Sequence, residues 1–519
     1  MLARSNAIIS AIADGMLQRE TMLTRLRVSG FKNLVDVDVS FGPFTCIAGA
    51  NGVGKSNLLD AIMFLSALAD RSLLEAALSV RDQGAKTGDI RGLFHHAGDR
   101  FDESMTFEAE MIIPETGTDD LGQKAVATAT FVRYSLSLRY KHDESARAMG
   151  SLELVSEELT HITLGEAVKH LPFGPSRAWR QRFVKNTRRT RNYISTDMIG
   201  TERLINVHQD GGSSGKPQKL RAANLPRTVL SAANSAESPT ATLVKREMQS
   251  WRLLQLEPSA LRAPDNFTAP TELNSDGEHL PATLFHLANT SKDAGGDPSA
   301  VYAEVANRLS ELIEDVRSIS VDRDESRQLL TIYAKGRDGT AYPARAVSDG
   351  TLRFLALTTL AIQSDSRGVI CMEEPENGIH PKRIPAMIQL LQDLTTDVQT
   401  VDDNTQLRQV IINTHSPSLV MQVPDDSLLL AEPVEITRGG LVYHAVRLRC
   451  LSDTWRVGTP NMRVIAKGDL LAYLNPVPYA NATSWDGRLP LEPQTQTVRR
   501  VADRKDLIQY ALPFGEVPE

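Results

Sequence analysis

Apolar and polar residues alternate with a period of two through LTRLRVSGFKNLVDVDVSF (residues 23–41), which predicts two strands around a turn at Gly30. FTCIAGANGVGKSNLLDAIMFLSALA (44–69) then reads as strand, glycine-rich loop and helix, with Leu58, Leu59, Ile62, Met63, Leu65 and Leu68 near a 3.6 period. MTFEAEMII, ATFVRYSLSLRY and LELVSEELTHITL alternate again and predict an antiparallel sheet. The middle of the chain changes rhythm. ATLVKREMQSWRLLQL (241–256) and AVYAEVANRLSELIEDVRSI (300–319) have helical periodicity, and GEHLPATLFHLANT starts a helix between them. RQLLTIYAKGRDGTAYPARAVSDGTLRFLALTTLAIQ predicts strand, turn, strand, loop and helix. GVICMEEPE carries a buried strand, RQVIINTHSPSLV a strand that ends at a His, KRIPAMIQLLQDLTT is a helix, and SLLLAE and GLVYHAVRL are strands.

With 519 residues the chain is too long for one simple core. Its 41% apolar and 23% charged content is that of an ordinary globular protein, and a net charge of −7 leaves no global field to attract nucleic acid. Cys46, Cys371 and Cys450 lack metal-ligand spacing and fit a reducing, cytoplasmic setting, and Cys46 and Cys371, in apolar runs, read as buried thiols. No apolar run reaches the ~18 residues of a membrane span, so no membrane partner is expected. Residues 1–21 read as an amphipathic extension and not a signal peptide.

Three stretches carry chemistry. Gly49 to Ser56 fits GxxxxGK[ST] between a predicted strand and helix, so backbone N–H groups there can close around phosphates. Asn51, Gly52, Gly54, Lys55, Ser56 and Asn57 are the candidate ATP contacts, with Lys55 reaching the β and γ phosphates and Ser56 ligating Mg²⁺. The apolar strand Val369 to Met372 ends in Glu373 and Glu374. One carboxylate would hold Mg²⁺ and the other would polarise the attacking water. His415 ends a second apolar strand, where a structural hydrogen bond and a ligand-sensing role both remain open. Ser348 and Asp349 begin a helix, either as an N-cap or as a second phosphate-binding terminus.

The order of these motifs, with EEPENGIHP and NTHSPSLV, resembles the ABC-type ATPases of the RecF, SMC and OLD group over residues 22–65 and 345–430. LEPSALRAP and GEHLPATLFHL resemble shorter-armed AAA-type ATPases of bacterial anti-phage systems, such as the ATPase subunit of Septu and retron-associated systems. The resemblance implies an α/β fold, an ABC-type P-loop ATPase head with a mixed, doubly wound sheet and an inserted, mostly helical arm or lid. It divides the chain into an extension (1–21), a head lobe (22–165), the insert (166–320), a second head lobe (321–430) and C-terminal strands with a Pro-rich tail (431–519).

The same resemblance makes Glu373 the Mg²⁺-holding acid, Glu374 the catalytic base, and His415 the sensor of the γ phosphate. Ser348, Asp349 and Gly350 become a signature that contacts ATP held by a second protomer, and Lys32 and Asn33 lie near the nucleotide. It implies ATP and Mg²⁺ as cofactors, a homodimer or higher oligomer through an ATP sandwich, and a separate effector such as a nuclease that the ATPase regulates; the alternatives are a RecF-like ATPase that loads on DNA itself and a non-hydrolysing scaffold stabilised by bound ATP. The family's first acid is usually Asp, so Glu373 implies slow turnover. Gln83 is the candidate for the family's Q-loop, with a plain loop through SVRDQGAKTGDI as the alternative. The tail after His415 lacks the acidic cluster of OLD-type nucleases, so no nuclease is expected in this chain. Arg177, Arg180, Arg182, Lys185, Arg188, Arg189 and Arg191 form a basic run that fits nucleic acid, an acidic partner or a solvated face, with Trp179 and Phe183 either stacking on bases or packing on the core.

Overall fold

The apolar runs at 369–372 and 410–412 lie in one sheet, and the alternating strands of the first 165 residues lie in another. The structure, a computed structural model, describes residues 21–80, 90–98, 100–142, 150–186, 191–210, 216–293, 297–313, 316–363, 368–401, 407–438 and 441–474. Phe44–Ala48, Val369–Glu373 and Gln409–Thr414 are buried along almost their whole length, as parallel strands covered on both faces must be. They lie in a seven-stranded sheet ordered Arg252–Leu254, Val369–Glu373, Gln409–Thr414, Phe44–Ala48, Leu428–Arg438, Leu441–Cys450, Arg463–Val464. The strands from Arg252–Leu254 to Leu428–Arg438 run parallel, and Leu441–Cys450 turns back antiparallel, which makes the sheet mixed.

Alternate residues of the parallel strands feed two cores, because successive side chains leave opposite faces. Ile47, Cys371 and Ile411 join one core with Leu58, Ile62 and Leu65 of the helix Lys55–Leu68. Cys46, Met372 and Ile412 join the other with Phe354 and Leu355 of the helix Asp349–Ile362 and with Met387 and Ile388 of the helix Ile384–Asp393. The sheet is therefore doubly wound. All three cysteines are buried free thiols, and burial pushes the Cys46 and Cys371 thiols well up.

The alternating strands form an eight-stranded antiparallel sheet ordered Gln218–Arg221, Glu202–Val207, Ile194–Ile199, Ser151–His161, Phe131–Lys141, Ser104–Ile112, Met22–Ser29, Val37–Ser40. Its inward residues, among them Leu26, Phe107, Leu136 and Leu154, share the core of the helix Lys55–Leu68. One helix thus joins both sheets.

Residues 166–320 do not stand apart as a helical arm. They hold the helices Pro239–Ser250, Leu280–Asp293 and Pro298–Leu312, but also three strands of the antiparallel sheet and the edge strand Arg252–Leu254 of the parallel one. Two apparent helical runs end early. The run 241–256 leaves its helix at Ser250 and pairs Arg252–Leu254 with Ile370–Met372. The run 300–319 leaves its helix at Leu312 and becomes the strand Val316–Asp324. Short apolar runs carry no periodicity of their own, and pairing with a neighbouring strand decides them.

A buried carboxylate anchors the path to that edge strand. Glu157 is fully buried in the antiparallel sheet, where it accepts hydrogen bonds from the Val229 and Leu230 amides at 2.7 and 2.8 Å and from the Tyr134 hydroxyl at 3.0 Å. Burial raises its pKa from 4.5 to about 7 against the opposing bonds from the Leu230 and Val229 amides and Tyr134. The folded state holds this proton more tightly than the unfolded chain. Its contribution to stability is therefore complete below the unfolded value and is lost as pH rises through about 7. Thermal melts should show Glu157→Gln gaining on wild type between about pH 5 and about pH 8. A difference in Tm that stays constant over that range contradicts this assignment.

Candidate functional site

The parallel strands end along one side of their sheet, the side where open α/β folds bind ligands. The loop after Phe44–Ala48 leads into the helix Lys55–Leu68, which has no side-chain N-cap. Its first N–H groups are thus left for an anion. Gly54 sits at φ 108°, and a Cβ there would lie 2.1 Å from Asn33 Nδ2, so both conformation and space demand glycine. Asn33 braces the loop from behind. Its Nδ2 donates to the Val53 carbonyl at 2.7 Å, and its Oδ1 accepts from Asn57 Nδ2 at 2.8 Å. Lys32, in the left-handed region at φ 49°, pairs with Asp60 of the same helix at 2.8 Å.

Lys55 folds back over the loop and donates to the Gly49 and Ala50 carbonyls at 2.9 and 2.8 Å. Burial lowers its pKa, opposed by the charges of Glu374, Glu376 and Glu373. These carboxylates arrive from the strand Val369–Glu373, two places away in the sheet. The strand between them closes the gap with Asn413. Asn413 Nδ2 lies 3.3 Å from both Ser56 Oγ and Glu373 Oε1, donating to each. The far oxygen of Glu373, Oε2, accepts from Gln255 Nε2 at 2.9 Å. Gln255 directly follows the edge strand Arg252–Leu254.

Glu374 leaves the strand in the left-handed region at φ 44°, which is strained for a residue with a Cβ. Its N–H donates to the Asn413 carbonyl at 3.0 Å. Its carboxylate is gripped at both ends, by His415 Nδ1 at 2.6 Å and by Asn377 Nδ2 at 2.8 Å. Partial burial would raise its pKa. The Asn377 and His415 bonds, followed by the charges of His415 and Lys55, outweigh that and hold it below the usual carboxylate range. Glu374 is therefore ionised at neutral pH and is available to accept a proton.

These groups open on a cleft of about 610 Å³ lined by Asn51, Gly52, Gly54, Lys55, Ser56, Asn57, Glu373 and Glu374, together with Gln255, Glu257, Arg353 and Asn413. Among the described residues no group of three or more His, Cys, Asp or Glu side chains is placed to hold a metal. Ser56 and Glu373 instead offer two hard oxygens tied through Asn413. This set fits Mg²⁺, which takes one or two protein groups and completes its shell with water and phosphate.

Several expected residues sit elsewhere. Ser348 caps its helix, accepting the Thr351 N–H at 3.3 Å, and Asp349 pairs with Arg262. Gly350 packs against the turn at Gly378, beyond the lining of the cleft. Arg353, one turn into that helix, does line it. In the basic run, Trp179 and Phe183 are buried in a separate cluster with Phe131 and Phe173, so they pack on the core and do not stack on bases. Arg180 donates to the Pro175 carbonyl, Lys185 pairs with Glu115, and Arg177 and Arg191 are exposed. Arg182 lies over the Phe183 ring. Arg188, Arg189 and Gln83 lie outside the described residues.

Sequence reasoning missed Gln255, Asn413, Asn377 and Arg353. Asn413 stood in the quoted NTHS beside His415, and a polar residue in an otherwise apolar strand was the available signal. Gln255 was hidden inside an apparent helix.

Residues 208–421 match the family model described as "AAA domain, putative AbiEii toxin, Type IV TA system", and residues 25–197 match one described as "AAA domain". A DNA replication and repair protein RecF of Clavibacter sepedonicus is 29% identical over 130 residues, 25% of this chain and 31% of that protein. A DNA double-strand break repair Rad50 ATPase of Halobacterium salinarum is 46% identical over 77 residues, 14% of this chain and 8% of that protein. An OLD nuclease of Thermus scotoductus is 51% identical over 41 residues, 8% of each. The matched segments thus span at most 31% of the length of these curated relatives. Together the matches support an ABC-type ATPase of the RecF/SMC/OLD group.

If Asn413 ties Ser56 to Glu373 for a metal, Asn413→Ala should weaken ATP binding in the presence of Mg²⁺ about 10- to 100-fold, the usual cost of losing such a support. Binding in EDTA should be unchanged. Titration of a fluorescent ATP analogue under both conditions decides it, and an equal loss in the two contradicts the assignment.

Proposed function

We propose that this chain binds ATP with Mg²⁺ in the cleft and hydrolyses it, with Glu374 as the base. The observation that carries this reading is the convergence, from separate elements, of Lys55, Ser56, Glu373, Gln255 and Glu374 on one cavity, with His415 bonded to Glu374. Ser56 and Glu373 would hold Mg²⁺, which neutralises charge on the β and γ phosphates when bound. Lys55 would exchange its bonds to Gly49 and Ala50 for phosphate oxygens. Glu374, ionised and clamped by Asn377 and His415, would orient a water and take its proton. Held at both ends, it has little freedom to lose as the reaction begins.

The reading extends to a head-to-head dimer in which Ser348, Asp349 and Gly350 of one protomer complete the cleft of the other. The place of all three outside the lining of their own cleft, with Asp349 and Gly350 beside the Gly378 turn, supports this. It extends further to a separate effector, such as a nuclease, that the nucleotide cycle holds or releases in anti-phage defence. Here the support is the resemblance carried by LEPSALRAP, which begins right after Gln255 and contributes Glu257 to the cleft. The names of the RecF and Rad50 relatives favour a second reading, an ATPase acting on DNA. ATP turnover that rises on adding DNA would select it.

Lys55→Ala should abolish ATP binding. Glu374→Gln should keep binding, lower turnover about 10²- to 10⁴-fold and accumulate an ATP-bound dimer by light scattering. Turnover unaffected by Glu374→Gln would remove Glu374 from the role of base.

A further inference from the structure

Glu376 stands in the turn that follows Glu373 and Glu374 and is 8% exposed. Its Oε1 accepts a hydrogen bond from the Thr414 hydroxyl, while its Oε2 is buried without a hydrogen-bond partner among the described residues. Burial pushes its pKa up, against the Thr414 bond. A buried carboxylate with one unsatisfied oxygen is costly, and such a group in a native fold calls for a reason. The local turn does not supply one. The Ile379 N–H bonds to the backbone carbonyl of Glu376 at 2.9 Å, which any residue would provide.

Thr414 is the informative neighbour. Its hydroxyl also accepts the Ser416 N–H at 2.9 Å, and its backbone carbonyl accepts the Gly49 N–H at 3.2 Å. Thr414 and Ser416 flank His415, which bonds to Glu374 at 2.6 Å. A continuous path therefore runs from the turn after Glu374, through the Glu376 carboxylate and the Thr414 hydroxyl, to the two residues that hold His415. Thr414 joins the same path to the first residue of the phosphate-binding loop.

We propose that Glu376 is a positioning residue, which holds the Thr414 hydroxyl and thereby sets where His415 meets Glu374. The proposal rests on the reading of Glu374 as the base for ATP hydrolysis. Without the carboxylate, the Thr414 hydroxyl keeps only its bond from the Ser416 N–H, so the flank of His415 is held less firmly and the His415 grip on Glu374 loosens. Lys55, Ser56 and the loop amides keep their places. The loss should fall on the chemical step and spare binding.

The test uses Glu376→Ala and Glu376→Gln in the full chain, with kcat, KM for ATP and Tm measured for each. Glutamine keeps an oxygen to accept the Thr414 hydroxyl. Glu376→Ala should lower kcat about 10- to 100-fold, the range expected of a displaced catalytic group. KM for ATP should stay within about threefold, and glutamine should recover most of kcat. An unchanged kcat in Glu376→Ala overturns the proposal. So does a parallel collapse of kcat, KM and Tm in both variants, because that marks a purely structural role. If wild type shows no turnover, the ATPase reading itself fails. The ring signals of His415 in ¹H–¹⁵N spectra then decide: they shift in Glu376→Ala and return in Glu376→Gln, or they stay unmoved in both and the proposal falls.

Discussion

Everything at the cleft depends on the pairing of Gln409–Thr414 between Val369–Glu373 and Phe44–Ala48. The register sets Asn413 beside both Glu373 and Ile47, and Thr414 beside Ala48. From there one amide side chain reaches the hydroxyl that opens the helix and the carboxylate that ends the neighbouring strand. A slip of one residue would turn Asn413 to the opposite face and send apolar side chains of the strand out of their cores. The two cores therefore enforce the chemistry. Ile411 and Ile412, buried on opposite faces, hold the register that Asn413 uses.

The surrounding structure locks the strand Phe44–Ala48 from other directions as well. Arg456, fully buried, donates to the Ser40 carbonyl at 2.7 Å and to Thr45 Oγ1 at 3.2 Å while stacking over Trp455. Burial depresses its pKa to about 9, which still leaves it charged at neutral pH. Behind the loop, Asn33 and Lys32 tie the first strands of the antiparallel sheet to the helix Lys55–Leu68. Rigid strands thus surround a few strained or mobile points. Glu374 is held in a left-handed conformation, and Lys55 bonds the Gly49 and Ala50 carbonyls. Strain of this kind persists only where neighbours over-determine it, and Asn413, Asn377 and His415 do so here.

Much of this was legible in the chain. Gly49 to Ser56, with a strand before and a helix after, announced the loop. Apolar runs at 369–372 and 410–412 announced two strands, and at their ends Glu373 and Glu374 line one cleft while His415 bonds to Glu374. The signature region was legible as a helix start, and Ser348 is its cap. What escaped were residues whose meaning comes from pairing across the sheet. Gln255 sits after a three-residue strand that no periodicity marks, and it earns its place only because Leu254 pairs beside Met372. Asn413 looked like the polar end of a strand, and its two partners are 357 and 40 residues away in sequence. Trp179 and Phe183 sit among basic residues that suggested a surface, but their spacing of four puts both on the buried side of one helix.

The central claim is that Ser56 and Glu373, joined through Asn413, present a metal to the phosphates of ATP. Electron paramagnetic resonance of Mn²⁺ added with a slowly hydrolysed ATP analogue tests it most directly. The account predicts a bound Mn²⁺ that requires the nucleotide, shows coupling to phosphorus and disappears in Glu373→Ala. A bound Mn²⁺ without phosphorus coupling, or one that survives Glu373→Ala unchanged, would contradict it.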